Sequence, residues 1–597
     1  MNRLKSIVTI LFYFLLGLDF QLVKGTTQPT RRDDSTNELI EKYKVSALPR
    51  IADQRLLEIE SYAGKLGEEG ESNNLFFWLA RNTTNTKNKD KLVVWLNGGP
   101  GCTSLDGLFL ENGPFEFDLM GNLVKREHSF TDQVDVLYID QPIGTGYSRG
   151  GAGGKVDYAR TYEEANTNLL RFLREFFRVF AEYKGREVVF SGESMAGTYL
   201  LYLARSLKET QEINVKGIMI GNGWMDSKRT YESYHTFIQQ KDLVVKESLM
   251  EIQRLTNDCT KQYGSSKGPV TSDICESILN VLQYDNKVGE KKCYNVYDVR
   301  LISQKPECGM DWPPAINRMY KYVKDPQVQT ALNLNTSDHV DWSECNNGVS
   351  EALSKDQTSN SAIGLIPEVL EAYPVLLFAG DQDLICNVLA HEWTIGNLTW
   401  NGDTGFSLPD SKPTMDSSTF SLKDYPLWLA GPEKNPIGTY HSERNLTYSI
   451  IYNASHMVGV DKPLEMLLLL SKFASLDSSN IAKYITSPRT IPTKTSVVSN
   501  GIILFLSFAI LLAIILAIFY SSFSKLPFWK ASSYTTLEDH AGSSDGRGEH
   551  EALELNVINP ELYDNADFIY SHFVDPDSAH RLSDGTASSP SLDQYTE

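Results

Sequence analysis

The sequence predicts an α/β fold built on a mostly parallel sheet with helices on both faces. Short runs rich in apolar and β-branched residues recur at Lys91–Leu96, Val134–Ile139, Glu187–Phe190, Lys216–Ile220, Val375–Phe378 and Tyr448–Tyr452. Near-continuous apolar runs of that length read as strands buried on both faces. Between them, Asn166–Tyr183 and Thr198–Glu209 place apolar residues at helical spacing. Strands alternating with amphipathic helices give a parallel sheet with both faces covered. The stretch 226–312 breaks the rhythm and holds four of the seven cysteines, so it is expected to be a helical cap inserted over the sheet's C-terminal edge.

The folded domain is expected over 42–476, with other kinds of segment on either side. Arg3 and Lys5 precede an apolar stretch from Ile7 to Leu18, the pattern of a cleaved signal peptide occupying 1–25. Residues 477–500 are rich in Ser, Thr and Pro and read as a stalk. Gly501–Tyr520 carries no charge over its twenty residues, long enough as a helix for a hydrocarbon core of about 30 Å. It predicts one transmembrane helix, with Lys525 and Lys530 on the cytosolic side. Fourteen acidic and four basic residues in 521–597 account for half of the formal net charge of −20. This tail has few apolar clusters and is expected to be disordered. No concentrated block of Lys and Arg suits nucleic acid, so none is expected as a partner.

All seven cysteines, Cys102, Cys259, Cys275, Cys293, Cys308, Cys345 and Cys386, fall between the signal and the span, as do Asn-X-Ser/Thr sequons at Asn82, Asn335, Asn397, Asn445 and Asn453. That distribution suits an oxidising lumen in which glycosylation occurs. An odd count leaves at least one thiol unpaired.

The strongest chemical signal is Val188-Val189-Phe190-Ser191-Gly192-Glu193-Ser194-Met195-Ala196-Gly197, a buried strand running into a tight turn and then a helix. This is a nucleophile elbow, which lifts Ser194 above the sheet at a helix N-terminus. A serine hydroxyl needs a base, and the base needs an acid that sets its tautomer. On such a sheet the order is Ser, Asp, His. Asp383 follows one apolar strand in Phe378-Ala379-Gly380-Asp381-Gln382-Asp383, with Asp381 its nearest competitor. His456 follows the last strand in Ile451-Tyr452-Asn453-Ala454-Ser455-His456. The loop after Val93-Val94-Trp95-Leu96, Asn97-Gly98-Gly99-Pro100-Gly101, lets backbone approach a substrate. It nominates the Gly99 and Met195 N–H groups as the oxyanion hole.

Trp95-Leu96-Asn97-Gly98-Gly99-Pro100-Gly101-Cys102, Gly192-Glu193-Ser194, Gly380-Asp381-Gln382-Asp383-Leu384-Ile385-Cys386-Asn387 and His456-Met457-Val458 together resemble the serine carboxypeptidases, a family of α/β-hydrolase fold, over about residues 45–475. The resemblance implies hydrolysis of C-terminal peptide bonds through an acyl-enzyme, without metal or cofactor. It also implies a set that binds the substrate's carboxylate, Asn97, Glu111 and Glu193 with Trp95 in support. Two nearby carboxyls cannot both ionise cheaply, so such a set works with a shared proton and favours acid pH. By the same resemblance Cys386 is a free thiol beside the site and Cys102 pairs with Cys345. The other four cysteines allow three pairings.

Met195 departs from the Tyr common after the nucleophile, and Ala454-Ser455 stand where glycines are common. A glycan on Asn453 would crowd the catalytic loop, so Asn453 is expected to be unmodified. Stalk, span and acidic tail make the layout similar to the family's membrane-anchored, pheromone-processing members of the late Golgi. That implies propeptide substrates ending in Lys or Arg. Tyr534-Thr535-Thr536-Leu537 and Phe568-Ile569-Tyr570-Ser571-His572-Phe573 in the tail are expected contacts for sorting adaptors. Rival readings are an esterase or acyltransferase on the same scaffold, since fold does not fix function, and an inactive receptor that only binds peptides. The Asn97, Glu111 and Glu193 set disfavours the first, and the intact Ser, Asp and His disfavour the second.

Overall fold

The computed structural model describes residues 34–477 and 479, apart from 68–73, 85–86, 149–155, 264–269, 335–341, 357, 408–426 and 431–434. The signal peptide, the Asn335 sequon, nearly all of the stalk, the Gly501–Tyr520 span and the tail lie outside the described residues. Among the described residues no helix is long and apolar enough to cross a membrane. The chain divides into two units, Met1–Ile220 with Asp311–Leu365, and Gly221–Met310 with Ile366–Glu597.

The first unit contains β1 (Ile59–Leu66), β2 (Leu75–Asn82), β3 (Lys91–Leu96), the short hairpin β4 (Phe115–Phe117) and β5 (Leu123–Lys125), then β6 (Asp135–Asp140), β7 (Glu187–Glu193) and β8 (Val215–Gly221). Its main sheet runs in the order β1-β2-β6-β3-β7-β8. β3 lies parallel between β6 and β7, while β1 and β2 are added antiparallel at the edge. The parallel strands answer to the apolar runs in the sequence. The first two strands were not anticipated, although β2 is buried along six consecutive residues just as the expected strands are.

Helix α1 (Tyr162–Val179) starts at Thr161, whose hydroxyl accepts a hydrogen bond from the Glu164 N–H at 3.1 Å. That cap places its start four residues before the expected Asn166, and its end falls at Val179 rather than Tyr183. Phe172, Phe176 and Phe180 recur at i, i+4 spacing and come together on one face. Phe77 of β2 packs against all three, with centroids 5.7–6.1 Å away. Helix α2 (Ala196–Thr210) follows the elbow and buries its first nine residues.

In the second unit, α3 (Ser227–Lys241), α4 (Lys246–Tyr263) and α5 (Asp273–Tyr284) precede the hairpin of β9 (Lys292–Tyr294) and β10 (Ile302–Gln304). Disulfides Cys259–Cys275 and Cys293–Cys308 staple this stretch locally, the first between α4 and α5. Beyond it lie β11 (Val375–Gly380), α6 (Val388–Asn397), the small hairpin β12 (Thr399–Trp400) and β13 (Asp403–Thr404), then β14 (Leu427–Ala430), β15 (Asn435–Thr439), β16 (His441–Glu443) and β17 (Leu446–Ile451). β11 pairs parallel with β17 in the register Val375↔Leu446 to Gly380↔Ile451. β17 therefore starts two residues before the expected Tyr448, and β14, β15 and β16 add antiparallel pairs beside it. The fold is α/β with parallel central strands and antiparallel additions that the sequence pattern did not announce.

Phe77 is fully buried in the aromatic cluster. Phe77→Ala should lower stability by about 3–5 kcal/mol, seen as a lower urea midpoint at unchanged m.

Candidate active site

Register brings together the candidate site residues of the first unit. β3 and β7 pair residue for residue from Lys91↔Glu187 to Leu96↔Gly192. The next residues, Asn97 and Glu193, therefore emerge side by side from the same edge. The chain after Glu193 turns through Ser194, whose φ of 58° lies in the left-handed region. A non-glycine residue held there marks the strained turn of an elbow. Ser194 is half-buried while its neighbours Glu193 and Met195 are buried. Gly192 is needed beneath it, since a Cβ there would lie 2.3 Å from the Leu96 carbonyl oxygen.

The glycine loop is pressed against this turn. A Cβ on Gly98 would sit 2.6 Å from the Met195 nitrogen and 2.8 Å from the Ser194 Cβ. Gly99 has φ 107° and Gly101 φ 94°, a region open to glycine at little cost. The peptide groups nominated as oxyanion donors thus belong to two tightly apposed turns. Cys102 is joined to Cys345 by a disulfide that holds the far end of the loop.

Asn97 is the hub of a buried polar cluster. Its side-chain NH₂ donates to Glu193 Oε1 at 3.0 Å and to Glu111 Oε1 at 3.3 Å. Its side-chain oxygen accepts from Trp95 Nε1 at 2.7 Å and from the Gly107 N–H at 3.0 Å. Both acceptor bonds fix the amide's orientation, so both NH₂ hydrogens point toward carboxyl oxygens. Asn97 is 3% exposed, Glu111 0% and Glu193 5%. The structure thus brings together the four residues expected to bind a carboxylate.

The second unit holds Asp383 and His456. Because β11 and β17 end in register at Gly380↔Ile451, the loops after both strands leave from one edge. His456 Nδ1 lies 2.8 Å from Asp383 Oδ2. Asp383 also accepts from Ile385 N–H at 2.9 Å, Cys386 N–H at 3.0 Å and Asn222 Nδ2 at 2.8 Å. A carboxyl facing this many donors acts as an acceptor, which puts the ring hydrogen on Nδ1 and leaves Nε2 free to take a proton. Asp381, the competitor, instead accepts from the Asn453 N–H at 2.7 Å and serves the loop's backbone. Arg300 adds a bond to the Asn453 carbonyl at 2.7 Å, and Asp461 accepts the Ser455 N–H at 2.7 Å. Ala454 and Ser455 press their carbonyl oxygens to 2.4 and 2.2 Å of where a Cβ on Gly380 would be.

Cys386 is buried and outside any disulfide. Asn222 and His391 are neighbours of Asp383 that the sequence did not single out. Asn222 follows an apolar strand in Gly221-Asn222-Gly223, and its side-chain oxygen accepts from the Gly380 N–H at 3.1 Å. Burial holds His391 at a pKa of about 4, and its Nε2 lies 3.1 Å from the Gly223 carbonyl. Of the sequons, Asn397, Asn445 and Asn453 are exposed and Asn82 is half-buried, its side-chain oxygen accepting from Thr84 at 2.7 and 2.9 Å.

Four substitutions test these assignments. Ser194→Ala should abolish turnover with the fold retained, and Asp383→Asn should cost about 10⁴ in kcat by admitting the wrong imidazole tautomer. Gly98→Ala should displace the Met195 N–H and lower kcat by about 10²–10³, the effect of a lost oxyanion donor. Asn222→Ala should lower kcat by about tenfold, one hydrogen bond's worth, and leave KM unchanged. Steady-state kinetics on one peptide, with circular dichroism as the folding control, measures all of these.

The family model described as serine carboxypeptidase matches residues 49–475. A pheromone-processing carboxypeptidase of Aspergillus terreus is 35% identical over 452 residues, covering 74% of this chain and 69% of that one. One from Aspergillus fumigatus is 36% identical over 453 residues, with the same coverage. The crystal structure of a prohormone-processing carboxypeptidase from Saccharomyces cerevisiae aligns with a TM-score of 0.62 at 31% identity, covering 73% of this chain and 96% of that one. The chain belongs to the serine carboxypeptidase family, and it is a serine-type carboxypeptidase.

Proposed function

We propose that this carboxypeptidase removes Lys and Arg from the C-termini of propeptides in the late Golgi, held there by the Gly501–Tyr520 helix with its catalytic domain in the lumen. In this reading Ser194 attacks the last peptide bond and His456 takes its proton, oriented by Asp383. The Gly99 and Met195 N–H groups stabilise the oxyanion. His456 then protonates the departing amine, and water releases the acyl-enzyme.

The observation that carries the exopeptidase reading is the Asn97 amide bonded to both Glu193 and Glu111, with Ser194 next in sequence to Glu193. A neutral ester makes no use of buried carboxyls at that position. A substrate carboxylate can be received there by hydrogen bonds from the amide and from a protonated glutamic acid. The Lys and Arg preference is supported by the similarity to pheromone-processing and prohormone-processing carboxypeptidases. A cationic side chain in a dry subsite would need a carboxylate partner there. The tail's Tyr534 and Phe568–Phe573 motifs are proposed to bind sorting adaptors.

Loss of the shared proton sets the sign of the pH dependence. For peptides with a free C-terminus, KM should rise as pH rises through the titration of Glu193 and Glu111. For the same peptides as C-terminal amides, KM should stay level. Parallel KM profiles for the two substrate forms would reject the shared proton. Mass-spectrometric trimming of a peptide library should show Lys- and Arg-ended peptides shortened first, and equal rates on Leu-ended peptides would reject the preference.

A further inference from the structure

A second pair of acids lies under the glycine loop, Asp106 buried and Glu344 half-buried. The carboxyls of Asp106 and Glu344 face each other. They sit 238 residues apart in sequence on two strips of chain that meet in an antiparallel bridge at Cys102↔Cys345. Across this seam the Thr103 N–H donates to the Glu344 carbonyl at 2.8 Å, the Asn346 N–H donates to the Gly101 carbonyl at 3.0 Å, and the disulfide closes it. A Cβ on Gly101 would lie 2.8 Å from Val349 Cβ, so the loop rests directly on the second strip. The seam begins two residues after Gly99, the nominated oxyanion donor, and Asp106 directly precedes Gly107, whose N–H orients Asn97.

The surroundings disfavour a charge on both acids at once. Asp106 is 4% exposed, and its Oδ1 is buried with no hydrogen-bond partner. The groups facing it are acidic, namely Glu344, Glu111 and Asp140. Asp140 accepts from Thr103 Oγ1 at 2.6 Å and from the Ser104 and Tyr147 N–H groups at 2.9 Å. Glu344 faces Asp106 and Tyr320, whose hydroxyl donates to Glu344 Oε2 at 3.2 Å. Tyr320 in turn packs edge-on against the buried Trp342 at 5.4 Å. Arg126, which interacts with Glu111, spends its guanidinium on the Phe109 and Phe115 carbonyls. Among the described residues no lysine or arginine forms an ion pair with Asp106 or Glu344.

We propose that Asp106 and Glu344 are a pair of positioning residues that share one proton, tighten the glycine loop against the 342–346 strip, and loosen the hydrogen bonds on either side of the disulfide when that proton is lost. Burial holds both acids above their usual range, Asp106 the further. The sign follows from that direction. The clamp is complete below the ordinary carboxyl range and is lost as pH rises through the raised values, when two like charges face each other across the seam. The effect falls on kcat, because it moves Gly99, whereas the Glu193 and Glu111 pair acts on KM for free C-termini. The proposal rests on the oxyanion role given to Gly99 above.

The test uses the full-length protein and an ester substrate with no free carboxylate, so that carboxylate recognition is silent. Wild-type kcat should fall at the alkaline side, and Asp106→Asn, which keeps a neutral donor facing Glu344 at every pH, should move that fall upward by about one pH unit or more. Glu344→Gln should do the same, while Glu344→Leu should lower kcat by about tenfold, the effect of one lost hydrogen bond, at acid pH with KM unchanged. Hydrogen–deuterium exchange of the Thr103 and Asn346 amides reads the clamp without catalysis. After correction for the intrinsic rate, exchange in the wild type should quicken by about tenfold as pH rises, as expected when the bond pinning a local opening is lost, and Asp106→Asn should abolish this. An unmoved alkaline limb in Asp106→Asn, or pH-independent exchange at both amides in the wild type, would overturn the clamp. A Ser194→Ala protein that still cleaved the ester would instead strike the catalytic assignment.

Discussion

The register of β3 against β7 is the constraint on which the rest of the first unit depends. Leu96 opposite Gly192 makes Asn97 opposite Glu193 unavoidable, and it delivers the glycine loop and the Ser194 turn to one edge. A slip of one residue would point every side chain of the strand to the other face. It would also separate the Asn97 amide from Glu193 and bring a different residue under Ser194. The glycines are consequences of that closeness. Gly98 and Gly192 stand where any Cβ would strike the opposing turn at under 3 Å.

Within that frame the first unit concentrates acids where water is scarce. Glu111, Glu193, Asp106, Asp140 and Glu344 all border the segment 97–111, and all but Glu344 are buried by exposure. Burying charge is costly unless it is compensated, so these groups keep protons or collect N–H and O–H donors. Asp140 collects donors and still has its pKa raised by burial to about 6. Glu193 and Glu111 share the Asn97 amide.

The second unit solves the opposite problem for Asp383. Two backbone N–H groups, the Asn222 amide and the His456 ring all face its two oxygens. Such a carboxyl is held as an acceptor and fixes the imidazole tautomer. The loop that carries His456 is braced from outside by Asp381, Arg300 and Asp461. Chemistry and bracing are thus divided between neighbouring acids of one short motif, with Asp383 on the ring and Asp381 on the backbone.

The sequence by itself determined the parts whose signal is local. The apolar runs of β3, β6, β7, β8, β11 and β17, the glycine turns and the elbow all announce themselves within ten or so residues, because strand burial and turn chemistry act over that range. Their ends moved by a few residues where a cap such as Thr161 set the boundary. Only the tertiary structure decided the antiparallel edge strands, the pairing of Cys259 with Cys275 and Cys293 with Cys308, the Asn222 bond to Asp383 and the Asp106 and Glu344 seam. Asn222 and Asp383 are 161 residues apart. A hydrogen bond over such a separation imposes no periodicity and no preferred spacing on the chain, so it leaves no mark until folding brings its two ends together.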